Sequence, residues 1–337
     1  MSNKRVMVTG GAGFIGSELT RQLVAAGEEV VVVDNLVNGK AANLAGLPQL
    51  DLQVVDIRQQ EKMSVLLKGV ERVYHLACLG VRHSLHAPWE NHEVNASATL
   101  NLLRLAMEAQ VERFIQVSTS EVYGTARRVP MDEEHPTLPS TVYGASKLAG
   151  EGYARAYWHS YGYPTVVVRP FNAFGPRCHH EGDSGEVIPK FMLRAMAGLP
   201  MIIFGDGQQT RDFTHVSDTA RGILLAGQQE QAVGQIINLG SGQEVTILQL
   251  AQHIAQVVGV AEATIQFDAP RPGDVLRLLA DSGKAKEWLA FTPKVTLEEG
   301  LRDLHSWYGG QGVDVATLLQ QEFTHNWRSR QPSAPGT

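Results

Sequence analysis

Two short stretches of the 337-residue chain carry side chains able to do proton chemistry. The first, STSEVYG at 118–124, sets the hydroxyls of Ser118, Thr119 and Ser120 beside the carboxylate of Glu121. The second, VYGASK at 142–147, holds Tyr143 four residues before Lys147. Residues four apart share one face of a helix. An ammonium near a phenol stabilises the phenolate, which lowers the Tyr pKa and lets it act as a general base near neutral pH. Glu121 adds a second group that could take or give a proton; its bland alternative is a structural carboxylate bonded to loop backbone. A Tyr-x-x-x-Lys pair is common on helix surfaces, so its context must carry the argument.

That context begins with VTGGAGFIGS at 8–17, which puts Gly10, Gly13 and Gly16 between an apolar run and a helix-like stretch. Glycine there permits a tight turn, lets backbone approach a pyrophosphate, and allows close helix–strand packing. The helix N-terminus behind it offers free N–H groups and the positive end of its dipole to an anion. Asp34 closes the second apolar run, EVVVVD. An acidic group at that place accepts hydrogen bonds from a ribose diol and repels a 2′-phosphate, which favours NAD over NADP. Asp56, at the end of the third run, is read either as an adenine contact or as a cap of the next helix.

The elements that must position these residues alternate along the chain. Runs rich in Val and Ile (RVMVTG, EVVVVD, LQVVDI, RVYHLA, RFIQVS, TVVVRP) are separated by helix-like stretches at 13–26, 59–68, 91–109 and 142–161. Continuous β-branched runs suit strands buried on both faces of a parallel sheet. The expected fold is therefore α/β, a doubly wound parallel sheet with right-handed crossovers. After Pro170 the alternation breaks into Gly- and Pro-rich segments with a short strand near 201–203 and helices near 217–229 and 244–258. The expected organisation is a nucleotide-binding domain at 1–173 and a smaller substrate-binding lobe at 174–320. Segments near 211–240 return to the core. A polar, Pro-containing tail at 321–337 is expected to be disordered.

Composition excludes several classes. At 19% charged and 43% hydrophobic residues the chain reads as globular rather than disordered. A net charge of −6 gives no electrostatic case for nucleic acid. No apolar run approaches the roughly 20 residues of a membrane span. The start MSNKRVMVTGG runs straight into a strand, so no signal peptide is expected and the cytoplasm is the expected location. Cys78 and Cys178 are too few for a disulfide scaffold. CHHEGD at 178–183 is metal-like in composition, but adjacent loop residues rarely converge on one ion, and no metal site is expected.

Taken together, TGGAGFIGS, HLA at 75–77, Asn95, STSEVYG, YGASK, RPFNAFGPR, GDGQQTRDFTHVSD and RPGD resemble the extended short-chain dehydrogenase/reductase family. Its members include nucleotide-sugar epimerases, dehydratases and decarboxylases, and the resemblance runs from about Val6 to Tyr308. It implies a Rossmann fold, tightly held NAD, a nucleotide-diphosphate sugar as substrate, and a homodimer paired through the helices at 91–109 and 142–161. Tyr143 would take the proton of a sugar hydroxyl, usually at C4, as hydride passes to NAD. Lys147 would hold the nicotinamide ribose, and Thr119 or Ser120 would bond the same sugar hydroxyl. Beside the glycines, Asp34 and Asp56, the resemblance puts Phe14, Ile15, Asn35, Ile57, Leu76 and Ala77 around the cofactor. Asn172, Arg211 and Arg271 match positions that hold the diphosphate, and Arg177 and Val187 join them among the substrate-binding positions.

The resemblance leaves the reaction open. Glu121 matches the carboxylate with which 4,6-dehydratases abstract the C5 proton, but the acid that precedes it in them is Ser120 here. A nucleotide-sugar 4,6-dehydratase is the first expectation. TSE also resembles UDP-glucuronate decarboxylases, the second. GVRHS at 80–84 resembles a loop of uronate 4-epimerases, the third, with Arg82 as a partner for a uronate carboxylate. A non-catalytic NAD-binding regulatory module is the remaining alternative, and it would have no need of the Tyr–Lys pair.

Overall fold

A computed structural model of the chain describes residues 5–48, 50–260, 262–271 and 273–327. In chain order its first half holds β1 (Arg5–Thr9), α1 (Phe14–Ala25), β2 (Glu29–Asp34), β3 (Asp51–Val54), α2 (Gln60–Leu66), β4 (Arg72–His75), α3 (Val81–His86), α4 (Pro88–His92), α5 (Ala98–Glu108), β5 (Arg113–Val117), α6 (Val142–Tyr161) and β6 (Thr165–Pro170). The second half adds β7 (Asn172–Phe174), α7 (Val187–Met196), β8 (Met201–Phe204), β9 (Thr210–His215), α8 (Val216–Gln228), β10 (Ile236–Leu239), β11 (Glu244–Thr246), α9 (Ile247–Val258), β12 (Ile265–Asp268), α10 (Gly283–Leu289), α11 (Leu297–Gly309) and α12 (Val315–Leu319).

Seven strands form one parallel sheet in the order β10-β6-β5-β4-β1-β2-β3. Alternating side chains explain why the interiors of β1 and β2 are apolar at successive positions. Val6 and Val8 of β1 pack with Val30 and Val32 of β2 in a core that includes Leu19 and Leu23 of α1 and Ile223 of α8. Met7, Val31 and Val33 point to the other face, against Met63 of α2 and Leu102 of α5. Both faces are covered, so the sheet is the expected Rossmann-type α/β layer. The direction of strand addition reverses between β1 and β4, which opens a crevice at their carboxyl ends where such sheets bind ligands.

Beyond the sheet, α7, α9 and α11 enclose a separate apolar core with Met192, Ile203, Leu250, Ile254 and Leu304. The helix of α9 is fixed locally: Thr246 and Gln249 form a reciprocal capping box, and Gly259 ends it at φ +85°.

Three local expectations are corrected. The stretch 91–109 is not one continuous α-helix. A π-turn at Glu93–Ser97 separates α4 from α5, and it turns Asn95 inward. The stretch 244–258 begins as β11, and only its latter part is helix. Residues 321–327 are not a free tail. Glu322 pairs with Arg194 of α7 at 3.0 Å, and the Asn326 amide donates to the carbonyls of Asp183 and Gly185. The remainder of the expected tail, 328–337, lies outside the described residues.

Candidate functional site

The carboxyl ends of β1, β4 and β5 and the second core border one continuous cleft of about 570 Å³. Its first wall is the glycine turn. Gly10 has φ +71° and donates its N–H to the Val33 carbonyl at 2.8 Å. A Cβ at Gly10 would lie 2.7 Å from the Ala77 nitrogen, and one at Gly16 only 2.1 Å from the Gly10 carbonyl oxygen. Only glycine fits either position. Gly13 is the N-cap of α1, and no side chain caps it, so the first-turn amides remain open to an anion.

Asp34 ends β2 inside this wall. Its carboxylate accepts from the Ala12 and Leu36 amides at 3.0 and 2.9 Å, and burial pushes its pKa up against those two bonds. Next to it, Asn35 donates to Asp56, and Arg58 grips Asp56 through two bonds of 2.9 and 2.8 Å. That guanidinium holds Asp56 down at about 2. Phe14, Ile15, Ile57, Leu76 and Ala77 line the same part of the cleft.

The floor is positioned by buried amides. Asn95 accepts from the Leu79 N–H and donates back to the Leu79 carbonyl, both at 2.9 Å, while Asn91 bonds the carbonyls of Leu79 and Gly80. The loop after β4, which carries Cys78 and leads into α3 with Arg82, is thereby clamped to α4 and the π-turn. Below it His75 lies between the hydroxyls of Thr9 and Thr99 at 2.7 and 2.9 Å.

The two opening motifs meet over this floor. Thr119 caps the short turn at 120–122 by accepting from the Glu121 N–H, and it also bonds the Tyr143 phenol. Thr141 caps α6 and so fixes the first turn, which holds Tyr143. Lys147 is buried one turn on and donates to the Val117 carbonyl at 2.6 Å. Burial pushes the Tyr143 phenol well above its ordinary value, with Cys78, Glu121 and Glu186 adding to the rise and the Thr119 bond opposing it. Burial also lowers Lys147.

Glu121 reaches the cleft half-buried, and among the described residues its carboxylate takes no hydrogen bond. Burial raises its pKa, while the nearby Arg211 and Arg82 pull it back. The structural-carboxylate alternative therefore has no bonds to rest on. Ser120 lies beside it in the cleft wall.

Across the cleft stands a group of cations. Arg211 donates to Asp274 at 2.7 Å and to the Thr210 carbonyl, and Arg271 reaches the same Asp274 at 3.1 Å. One carboxylate thus aligns two guanidinium forks, an arrangement suited to a diphosphate. Asn172 lines the same wall, and among the described residues its buried side-chain oxygen has no partner. Arg82 is different: no hydrogen bond or ion pair holds it among the described residues, and burial together with Arg271 pushes its pKa down. Val187 opens α7 at the cleft edge.

Arg177 is the one sequence-derived site residue the cleft does not include. Its guanidinium turns away to Glu18 and Ser17 of α1, so it ties the loop after β7 to that helix. The sequence reading gave no role to the side chains of several other groups in the cleft. Glu186 is pushed up to about 7 by burial, Lys190 is pushed down to about 8 and bonds the Phe323 carbonyl, and Glu322, Thr324 and Asn326 come from the C-terminal segment. In CHHEGD, Glu181 is engaged by Lys40 at 2.7 Å and by His179 at 3.2 Å.

Comparison with known proteins places this geometry. Residues 7–304 match the family model described as GDP-mannose 4,6 dehydratase. UDP-glucuronic acid decarboxylase 1 of Arabidopsis thaliana is 37% identical over 306 residues, covering 88% of this chain and 68% of that protein. The dTDP-glucose 4,6-dehydratase of Streptomyces venezuelae, solved with NAD bound, superposes with a TM-score of 0.86 at 34% identity, covering 91% of this chain and 97% of that one. The UDP-glucose 4-epimerase of Thermotoga maritima, solved with UDP-glucose, gives 0.86 at 34% identity over 90% and 98%. The chain belongs to the nucleotide-sugar epimerases, dehydratases and decarboxylases of the extended short-chain dehydrogenase/reductase family.

Proposed function

We propose that this member of the family is an NAD-dependent nucleotide-diphosphate-hexose 4,6-dehydratase working through a 4-keto intermediate. The observation that carries the reading is Glu121: a half-buried carboxylate in the cleft, on the residue pair after Thr119, with no hydrogen bond to occupy it among the described residues. A simple 4-epimerase needs no such group, because it only returns hydride to the other face of the ketone.

The cleft fits the cofactor. The turn at Gly10 and Gly16 admits no Cβ, the α1 amides are open to a pyrophosphate, and Asp34 stands where a ribose diol would bind and a 2′-phosphate would be repelled. When bound, NAD supplies the hydride acceptor and a positively charged nicotinamide. Lys147 would hold the ribose end, and the charge of the nicotinamide would favour the phenolate of Tyr143. Tyr143 takes the proton from the C4 hydroxyl, which Thr119 orients. The ketone formed at C4 acidifies the C5 hydrogen, and Glu121 removes it. Arg211, Arg271 and Asn172 hold the diphosphate.

A second reading has its own observation. Arg82 is a cation of the cleft with no partner among the described residues, and a uronate carboxylate would satisfy it. Under that reading the substrate is a uronate, and the enzyme is a UDP-glucuronate decarboxylase or a uronate 4-epimerase. Pairing of two copies through α5 and α6 belongs with either reading, and Leu100 and Tyr161 are exposed on those helices. Turnover in heavy water separates the reactions. Dehydration places one deuterium at C5 of a product that has lost water. Decarboxylation places it at C5 of a product that has lost carbon dioxide. Epimerisation leaves C5 unlabelled.

A further inference from the structure

Hydroxide is a poor leaving group, so expelling the C6 hydroxyl calls for a proton donor. The position before Glu121 is a serine, whose hydroxyl is far too weak an acid for the task. Among the cleft's other carboxyl groups is one from another part of the chain with no hydrogen bond or ion pair among the described residues. Glu186 stands at the N-terminus of α7, with its backbone fixed by its own N–H to the His179 carbonyl at 2.8 Å. The turn before it is tightly packed: a Cβ at Gly185 would lie 2.5 Å from Lys190 and 2.8 Å from the His180 carbonyl. Among the described residues the Glu186 side chain makes no hydrogen bond and no ion pair, although it lines the same cleft as Tyr143 and Glu121. The titratable groups coupled to it by charge are Tyr143 from α6, Cys178, His179 and Glu181 from its own loop, and Tyr308 from α11.

We infer that Glu186 is the acid that protonates the departing C6 hydroxyl, the role that Ser120 cannot fill. This rests on the dehydratase reading. In the step, Glu121 removes the C5 proton, the C5–C6 double bond forms, and the C6–O bond breaks as Glu186 transfers its proton to that oxygen. Water leaves and Glu186 becomes a carboxylate. The hydride removed from C4 is then returned to C6, and C5 takes a proton from Glu121 after that carboxyl has exchanged its proton with solvent. Glu186 regains a proton from solvent before the next turnover. Burial favours the protonated form this role needs, since it pushes the group up to about 7 while His179 opposes the rise.

The experiment compares the parent, Glu186→Gln and Glu121→Gln on a nucleotide-diphosphate hexose and on its 6-deoxy-6-fluoro analogue, whose fluoride departs without an acid of this strength. The hexose that the parent dehydrates is used, with NAD present throughout. For Glu186→Gln the expected result is water loss slowed by roughly 10²–10⁴-fold, with C4 oxidation retained and with fluoride release close to the parent rate. Its rate should also lose the parent's decline as pH rises through about 7. Glu121→Gln should be slow on both substrates. Parent-like dehydration by Glu186→Gln overturns the inference, and so does an equal loss on both substrates, which would mark Glu186 as structural. If the parent dehydrates no hexose, the dehydratase reading falls first and this inference with it.

Discussion

The segment carrying Glu121 and the helix carrying Tyr143 are held together by one buried ion pair, and removing half of it is a sharp test of the fold. Glu151 lies two turns beyond Tyr143 on α6, and Arg169 lies on β6. Three charge-assisted bonds of 2.9, 3.2 and 2.6 Å join them, and their side chains are only 2% and 3% exposed. Arg169 also donates to the Tyr123 hydroxyl at 2.8 Å and stacks over that ring at 4.7 Å, which brings STSEVYG into the same unit. Glu151→Gln keeps the shape and one acceptor but strands a guanidinium in a dry site. Breaking a buried pair from one side costs about 3–5 kcal/mol, and the retained acceptor puts this case near the lower end. About 3 kcal/mol lowers the folded-to-unfolded ratio by roughly two orders of magnitude. Urea unfolding followed by circular dichroism should show the midpoint falling at an unchanged slope. Replacing both residues together, Glu151→Leu with Arg169→Met, should recover most of the loss, because no uncompensated charge remains. A change within about 0.5 kcal/mol for Glu151→Gln, the scale of ordinary surface substitutions, would refute the reasoning.

Three further outcomes are expected. Tyr143→Phe removes the C4 base and should cost roughly 10²–10⁴-fold in turnover while NAD binding, read by calorimetry, stays near the parent value. Glu121→Gln should oxidise C4 and stall, so that the near-ultraviolet absorbance of reduced nicotinamide builds up on the protein during turnover; absence of that signal counts against Glu121 as the C5 base. Burial holds His75 at about 3, below its ordinary 6.5, so the unfolded chain binds more protons between those values and this group's contribution to stability falls as pH drops through that window. The slope is about 1.4 kcal/mol per pH unit. Against His75→Gln, which lacks the titration, the parent's urea midpoint should therefore decline more steeply between pH 6 and 4, a pair of working values chosen inside the roughly three-unit window.

Local pattern reveals what local forces decide. The six Val-rich runs announced strands buried on both faces, and the spacing of Gly10, Gly13 and Gly16 announced a turn that the packing of Ala77 and Gly10 makes obligatory. Tyr143 and Lys147 were legible because helix geometry alone puts them on one face. Arg177 misled because its matching position says nothing of Glu18, a residue 159 positions away that claims its guanidinium. The same limit hid the docking of residues 321–327: Glu322 meets Arg194 across 128 positions, and no periodicity records that. The break in 91–109 was hidden because a π-turn leaves the apolar pattern intact and is visible only in the inward turn of Asn95. Glu186 looked like any acidic residue at a helix start. What marks it is a missing partner, and a missing partner can be read only from the assembled cleft.

The most direct test of the central claim is the mass of the product formed by the purified protein from a panel of UDP-, dTDP- and GDP-hexoses and their uronates. The account predicts loss of one water from a hexose. Loss of carbon dioxide from a uronate, or unchanged mass with inverted C4, would contradict it.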